Sequence, residues 1–192
     1  MRDLRGLRRT VIAAALAGLV LSGCSEKQEA SDTLPTTAAE TTESLPPVGP
    51  ADFPVPDEAR TKDAAGAEAF TRYYMDLINR SSRTLDATPL RDLSEGCDDC
   101  DRIAANAESS AQAGYRYEGG VISVTEVAQP LVTGETAEMA IRIDQTALAV
   151  LDRSGSPVEE GSSDAFRGIP ANVALKWAPA LKSWRMTYLA FG

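Results

Sequence analysis

"DAAGAEAFTRYYMDLINRSSRT", residues 63–84, decides how the rest of the chain must be arranged. Ala67, Phe70, Tyr74, Leu77 and Ile78 return every three or four positions, the spacing of one face of an α-helix. Asp63 stands where an N-cap belongs, and Glu68 lies in the early turns, where negative charge suits the helix dipole. Arg72, Asp76, Asn79 and Arg80 fall off this stripe, and Tyr73 sits at its edge. A helix with one apolar face needs a surface to cover, so the surface must come from elsewhere in the chain.

Two shorter helices follow. In "LDATPLRDLSEG", residues 85–96, Thr88 would cap a short helix with Pro89 in its first turn. "CDDCDRIAANAESSAQAG", residues 97–114, reads as a third helix begun by Glu95 or Asp98 and ended by Gly114. Its apolar side is small: Ile103, Ala104, Ala107 and Ala111. Beyond Gly114 the period changes from helical to alternating. "YEGGVISVTEVAQ" (117–129) and "TAEMAIRIDQTALAVLD" (136–152) alternate as half-buried strands do. In the second, Met139, Ile141 and Ile143 oppose Arg142 and Asp144, and the pattern slips at Gln145 to Ala147, which predicts a bulge or bend. "DRSGSP" (152–157) is a turn, and "VEEGSSDAFRGIP" (158–170) predicts a short strand and a loop. "ANVALKWAPALKSWRMTYLAF" (171–191) is a hairpin: Val173, Leu175 and Trp177 alternate on one arm, Trp184, Met186 and Tyr188 on the other. Helices first and antiparallel strands afterwards define an α+β class, with the N-terminal helices packed on a curved antiparallel sheet.

Towards the N-terminus the composition changes. Arg2, Arg5, Arg8 and Arg9 precede the apolar run "VIAAALAGLVLSG" (11–23), too short for a comfortable membrane span. "LSGC" (21–24) resembles the bacterial lipobox, in which small residues precede a cysteine that receives a lipid. The expectation is a lipoprotein signal peptide over 1–23 and a diacylglycerol on Cys24, placing the chain on the extracytoplasmic face of a bacterial cell membrane. Residues 25–56 are rich in Thr, Ser, Glu, Ala and Pro, which cannot bury enough surface to offset ordering entropy. The sequence is therefore divided into a signal peptide (1–23), a lipidated flexible tether (24–56) and a single domain (57–192). The net charge of −9 becomes more acidic once the arginine-rich leader is removed. That balance argues against nucleic acid as a partner.

A resemblance adds to this reading. The element order resembles the cone-shaped fold of nuclear transport factor two and the ketosteroid isomerases, in which a long N-terminal helix lies in the concavity of a bent sheet. "AFTRYYMDLINR" (69–80), the Cys97 and Cys100 pair and the "EGG" and valine-rich strand after it resemble an uncharacterised group of actinobacterial lipoproteins, a domain of unknown function. This covers about residues 54–190. It implies a fold and a location and supplies no activity.

Chemistry is sparse. The chain has no histidine, which removes Ser-His-Asp and Cys-His nucleophiles and the commonest zinc ligands. No phosphate-binding glycine loop is present, and no cofactor is expected. Enzymes of the cone-shaped fold transfer protons with a carboxylate or Tyr in the cavity, which makes Asp144, Tyr74 and Asp76 the candidates here. Tyr73, Tyr115, Tyr117 and Arg142 are the other groups such a cavity would have available. Asp144 would be a base raised by burial and Tyr74 a donor to an oxyanion. The competing reading puts Arg142 and Asp144 on the solvent side of an alternating strand and Tyr74 in the core. Cys97 and Cys100 lie in an exported region where thiols are oxidised, with Cys24 consumed by lipid. Their spacing at a helix start fits a disulfide, while Glu95, Asp98, Asp99 and Asp101 oppose a thiolate and no further metal ligands accompany the pair. A structural disulfide is the reading. The function expected is a membrane-anchored, non-catalytic binding module of the cell envelope, held by the lipid on Cys24. Its partner would be an envelope protein, a small apolar ligand or a second copy of the chain. The alternatives are a cavity acid/base enzyme of the ketosteroid isomerase or polyketide cyclase type, and a structural accessory of an envelope complex.

Overall fold

The computed structural model describes residues 45–192. The leader, Cys24 and most of the tether lie outside the described residues. The first helix, α1 (Ala64–Thr84), starts and stops close to where the sequence places it. The Asp63 carboxylate accepts from the Gly66 N–H at 2.8 Å. Gly66 is required there, because a Cβ would stand 2.1 Å from the Thr61 carbonyl oxygen. Ala67, Phe70, Tyr74, Leu77 and Ile78 are all buried. Helix α2 (Thr88–Asp92) has Pro89 in its first turn, but Thr88 is its first residue rather than its cap. Instead the Asp86 carboxylate accepts from the Thr88 N–H at 3.2 Å. Helix α3 (Asp98–Ala113) ends on Gly114 in the left-handed conformation. Its buried side is Cys100, Ala104, Ala107 and Ser110. Ala111, expected on that side, is exposed, and Ser110 takes the place because its hydroxyl meets Tyr117.

Eight antiparallel strands follow: β1 (Arg116–Gly119), β2 (Ile122–Val127), β3 (Leu131–Thr133), β4 (Thr136–Gln145), β5 (Leu148–Leu151), β6 (Pro157–Ser163), β7 (Phe166–Ala178) and β8 (Ser183–Phe191). The larger sheet has the order β2-β4-β7-β8, with β3 also on β4, and the smaller sheet β1-β5-β6. The two are halves of one bent surface, since three neighbouring strands all break at the same level. The chain passes between sheets at Gly120–Val121, at Thr146–Ala147 and at Asp164–Ala165. The slip expected at Gln145–Ala147 is one of these breaks. At the bend Gly120 N–H donates to the Ala147 carbonyl at 2.9 Å and Thr146 N–H to that of Val121 at 3.1 Å. Gly119 and Gly120 both have positive φ, and a Cβ on Gly119 would meet the Ala147 carbonyl oxygen at 2.1 Å. Only glycine allows the two chains to cross so closely. Residues 158–170, expected as a short strand and a loop, carry most of β6 and the start of β7 instead. That early part of β7 is exposed on most positions, so no alternation marks it.

Helix α1 lies against the inner face of the larger sheet. Phe70 and Tyr74 pack with Ile141, Ile143, Val173, Leu175, Trp184, Met186 and Leu189 in one cluster. The Asn79 amide joins helix to strand. Its Nδ2 donates to the Ile122 carbonyl and its Oδ1 accepts from the Ile122 N–H, each at 2.8 Å. Arg72 adds a bond to the Val124 carbonyl at 3.3 Å. Together these side chains occupy the edge of β2, which would otherwise expose unpaired backbone.

The tether boundary expected at residue 56 falls earlier. Val48 and Val55 are buried, and the Phe53 ring stacks on Tyr73 with centroids 5.1 Å apart. The buried Arg60 guanidinium donates to the carbonyls of Pro46 (2.7 Å), Leu181 (2.7 Å) and Lys182 (3.2 Å). This arm is extended, as its prolines dictate, yet three apolar residues and a clamp of carbonyls suffice to fix it.

Asn79→Leu should leave both polar groups of Ile122 without partners, at a cost of about 2–3 kcal/mol, measured by urea unfolding. The arm makes a second expectation. Arg80 donates to both Asp52 oxygens at 2.8 and 3.0 Å, and that contact holds the Asp52 carboxyl below its ordinary value of 3.8. A carboxyl lowered by folding contributes above its unfolded value and is lost as pH falls through the folded one. Amide protection over residues 49–55 should therefore be constant at neutral and mildly acid pH and should fall only below 3.8.

Candidate binding face

The structure separates the groups nominated for catalysis. Tyr74 is fully buried and its hydroxyl donates to the Leu90 carbonyl at 3.2 Å. Burial pushes its pKa up to about 12, and that of Tyr73 likewise to about 12. Asp76 lies on the solvent side of α1, where its Oδ1 accepts from Asn79 at 3.4 Å. Asp144 follows the buried Ile143 and points to the opposite face of the sheet from α1. There its Oδ1 accepts the Gly168 N–H at 2.8 Å, and its Oδ2 lies 3.8 Å from Arg167. The alternation of β4 thus puts the sheet between Asp144 and Tyr74. Tyr73 is buried beneath the arm, and Arg142 pairs with Glu126 at 3.3 Å on the outer face. Tyr117 meets Ser110, while Tyr115 follows the end of α3.

Cys97 and Cys100 are joined by a disulfide, with Cα atoms 5.2 Å apart. Both are buried. Cys97 is also the N-cap of α3, and its sulfur accepts from the Cys100 N–H at 3.3 Å. Just before it, the chain touches the edge of β8: Glu95 N–H donates to the Met186 carbonyl, and Met186 N–H to that of Leu93, each at 2.9 Å. The disulfide therefore sits where α2, α3 and the sheet edge meet. Replacing both cysteines by Ala should cost about 2 kcal/mol, the gain expected for so short a closed loop, read by thermal unfolding in the presence and absence of reductant.

The open surface lies on the outer face of the larger sheet. Outward positions on its strands form cross-strand rows. One row runs Leu131 (β3), Glu138 (β4), Ala174 (β7), Tyr188 (β8), and the next Ala140, Asn172, Ala190. Leu131 is 68% exposed and Tyr188 52%, the two most exposed large apolar side chains among the described residues. They stand three strand spacings apart, roughly 14 Å. Between them the small side chain of Ala174 leaves an open trough of about 510 Å³, lined also by Glu138 and Asn172. A smaller depression of about 230 Å³ over Ala128, Ala140 and Pro170 lies beside it, towards the Arg142–Glu126 pair.

Tyr188 reaches this face through a correction to the hairpin. The alternation Trp184, Met186, Tyr188 predicts three inward side chains. In the structure Leu175 faces Met186 and Ala174 faces Tyr188, so Thr187 is an extra residue on β8. Its hydroxyl donates to the Ala174 carbonyl at 3.1 Å. This bulge reverses the parity of the strand: Tyr188 turns outward and Leu189 becomes buried. Sequence reasoning missed Leu131, Glu138, Asn172 and Tyr188. The one available signal was that "MTYLAF" fits either parity.

A bent antiparallel sheet, with helices on its inner side and an open trough on its outer side, makes this an α+β protein of the cone-shaped type. The chain belongs to a family of unknown function, DUF6318, whose model matches residues 49–190. No curated protein matches it. Among solved structures it is similar to the intermembrane-space region of the chloroplast protein ARC6, at 18% identity over 68% of this chain and 97% of that one, with a TM-score of 0.49. It is also similar to a nuclear transport factor 2-like superfamily protein from Salmonella enterica serovar Typhimurium, at 12% identity over 68% and 92% of the two chains and a TM-score of 0.43. A domain of unknown function with a cystatin-like fold from Nostoc punctiforme gives 18% identity over 68% and 76%, with a TM-score of 0.36. No helix among the described residues is long and apolar enough to cross a membrane.

Proposed function

We propose that this protein is a lipid-anchored extracytoplasmic binding module. Cys24 carries the anchor, and the domain docks a protein partner of the cell envelope on the outer face of its larger sheet. The trough carries this reading: Leu131 and Tyr188 stand exposed on either side of the small side chain of Ala174. An exposed apolar patch rimmed by polar groups is characteristic of interaction surfaces. The inner face, by contrast, is filled by the side chains between α1 and the sheet. The lipobox at residues 21–24 supports the anchor, and the Thr- and Pro-rich segment after it supplies reach. With the arm fixed from Pro46 onward, residues 24–45 set that reach, at most about 3.5 Å per residue when extended.

Two independent measurements test the two halves. Wild-type protein should partition into detergent with the membrane fraction, whereas Cys24→Ala should be released in soluble form; retention of that variant would remove the anchor from the proposal. A photo-crosslinking side chain in place of Thr136, exposed on the outer face one row from the trough, should trap one protein on living cells, and Leu131→Asp with Tyr188→Asp should abolish the adduct while leaving the unfolding midpoint unchanged. No adduct at position 136, or one indifferent to those substitutions, would refute the docking face.

A further inference from the structure

We propose that the trough selects a partner segment by an arginine side chain, seated on Ala174 between the carboxylate of Glu138 and the ring of Tyr188. This deepens the docking reading above and rests on it. Glu138, Ala174 and Tyr188 are successive members of one cross-strand row, so Glu138 and Tyr188 are two strand spacings apart, roughly 10 Å. That gap admits a flat guanidinium with a carboxylate on one side and an aromatic face on the other.

Charge distribution favours a cation at this point. Among the described residues Glu138 forms no ion pair, unlike the other charged groups around the trough. Glu126 is taken by Arg142 at 3.3 Å. Lys176 and Arg185, in the next cross-strand row, share the one carboxylate of Glu95 at 3.9 and 3.7 Å. Glu138 is thus an unmatched carboxylate between Leu131 and the alanine floor, on a chain of net charge −9. A carboxylate that closes on a partner's cation strengthens binding, while one facing an apolar or acidic partner weakens it by desolvation or repulsion.

Arginine fits better than lysine for reasons of shape. Its planar guanidinium binds a carboxylate through two parallel hydrogen bonds and stacks on an aromatic ring. The Asn172 amide in the adjacent row lies within the same trough and offers an oxygen to a remaining N–H. A lysine ammonium would satisfy Glu138 but gain less from Tyr188. Leu131, at the other end of the row, would take an apolar neighbour of the arginine.

The probe is acetyl-Leu-Arg-Leu-amide, titrated against the full chain carrying Cys24→Ser and followed by the NMR shifts of Ala174 and Asn172. The Lys and Glu counterparts of the peptide serve as comparisons. The arginine peptide should bind most tightly, the lysine peptide about threefold more weakly and the glutamate peptide not measurably. Glu138→Gln and Tyr188→Leu should each weaken the arginine peptide about fivefold, while Glu159→Gln, on the smaller sheet, should leave it unchanged. Equal binding of the three peptides, or indifference to Glu138→Gln, would overturn the inference. The crosslink at position 136 keeps the two readings apart. An adduct whose trapped peptide contains no arginine defeats the selection proposed here while the docking face stands; no adduct at all defeats the face itself.

Discussion

The grip of Asn79 on Ile122 is the contact on which the rest of the arrangement depends. Ile122 is the first residue of β2 after the bend, and Asn79 satisfies both of its backbone groups from the C-terminal half of α1. A helix can slide along a sheet at small cost if only apolar side chains hold it, because dispersion and burial are not directional. Two hydrogen bonds of fixed geometry remove that freedom. They set which turn of α1 meets which rung of the sheet, and so which inward side chains Phe70 and Tyr74 encounter. The bend makes the grip possible, and Gly119 and Gly120 make the bend, since the Ala147 carbonyl occupies the space that a Cβ on Gly119 would need.

Much of this was legible in the sequence, and the parts that were not share a cause. α1 was legible because its stripe, cap and length all agree. The break at Gln145–Ala147 was legible because alternation failed there. The arm over residues 46–56 was not, because its proline-rich composition is that of a tether. Three apolar side chains and one buried arginine outweigh that composition, which averages them away. Ser110 and Ala111 exchange places on α3 for a similar reason: a hydroxyl buried beside Tyr117 is satisfied there, whereas the alanine loses little by exposure. In each case a single specific partner, invisible in a pattern of apolar and polar letters, prevails over the average.

The two faces of the larger sheet carry different side chains, and the strand period enforces the separation. Side chains one residue apart point to opposite faces, so Ile143 belongs to the core and Asp144 to the outside. A paired acid and base would need two such residues on one face. The nominated pair fails that requirement: Tyr74 is enclosed between α1 and the sheet, and Asp144 is on the far side accepting from the Gly168 backbone. The outer face carries what the inner one cannot, a run of small outward residues bordered by large exposed ones.

Thr187 connects the core to that outer face. Were Thr187 paired as an ordinary strand residue rather than bulged out, β8 would keep a strict alternation, Tyr188 would enter the core and Leu189 would face outward. The core opposite Val173 would then have to hold a phenol where it now holds Leu189, and the hydroxyl would need a buried partner. With the bulge, the leucine completes the core and the phenol stands in solvent beside Ala174. The Thr187 hydroxyl takes the Ala174 carbonyl, so the ladder loses little at the irregularity. The bulge at Thr187 thus relieves a packing problem and supplies one wall of the trough. The same backbone feature that makes the hairpin core fit creates the surface on which the protein's proposed role depends.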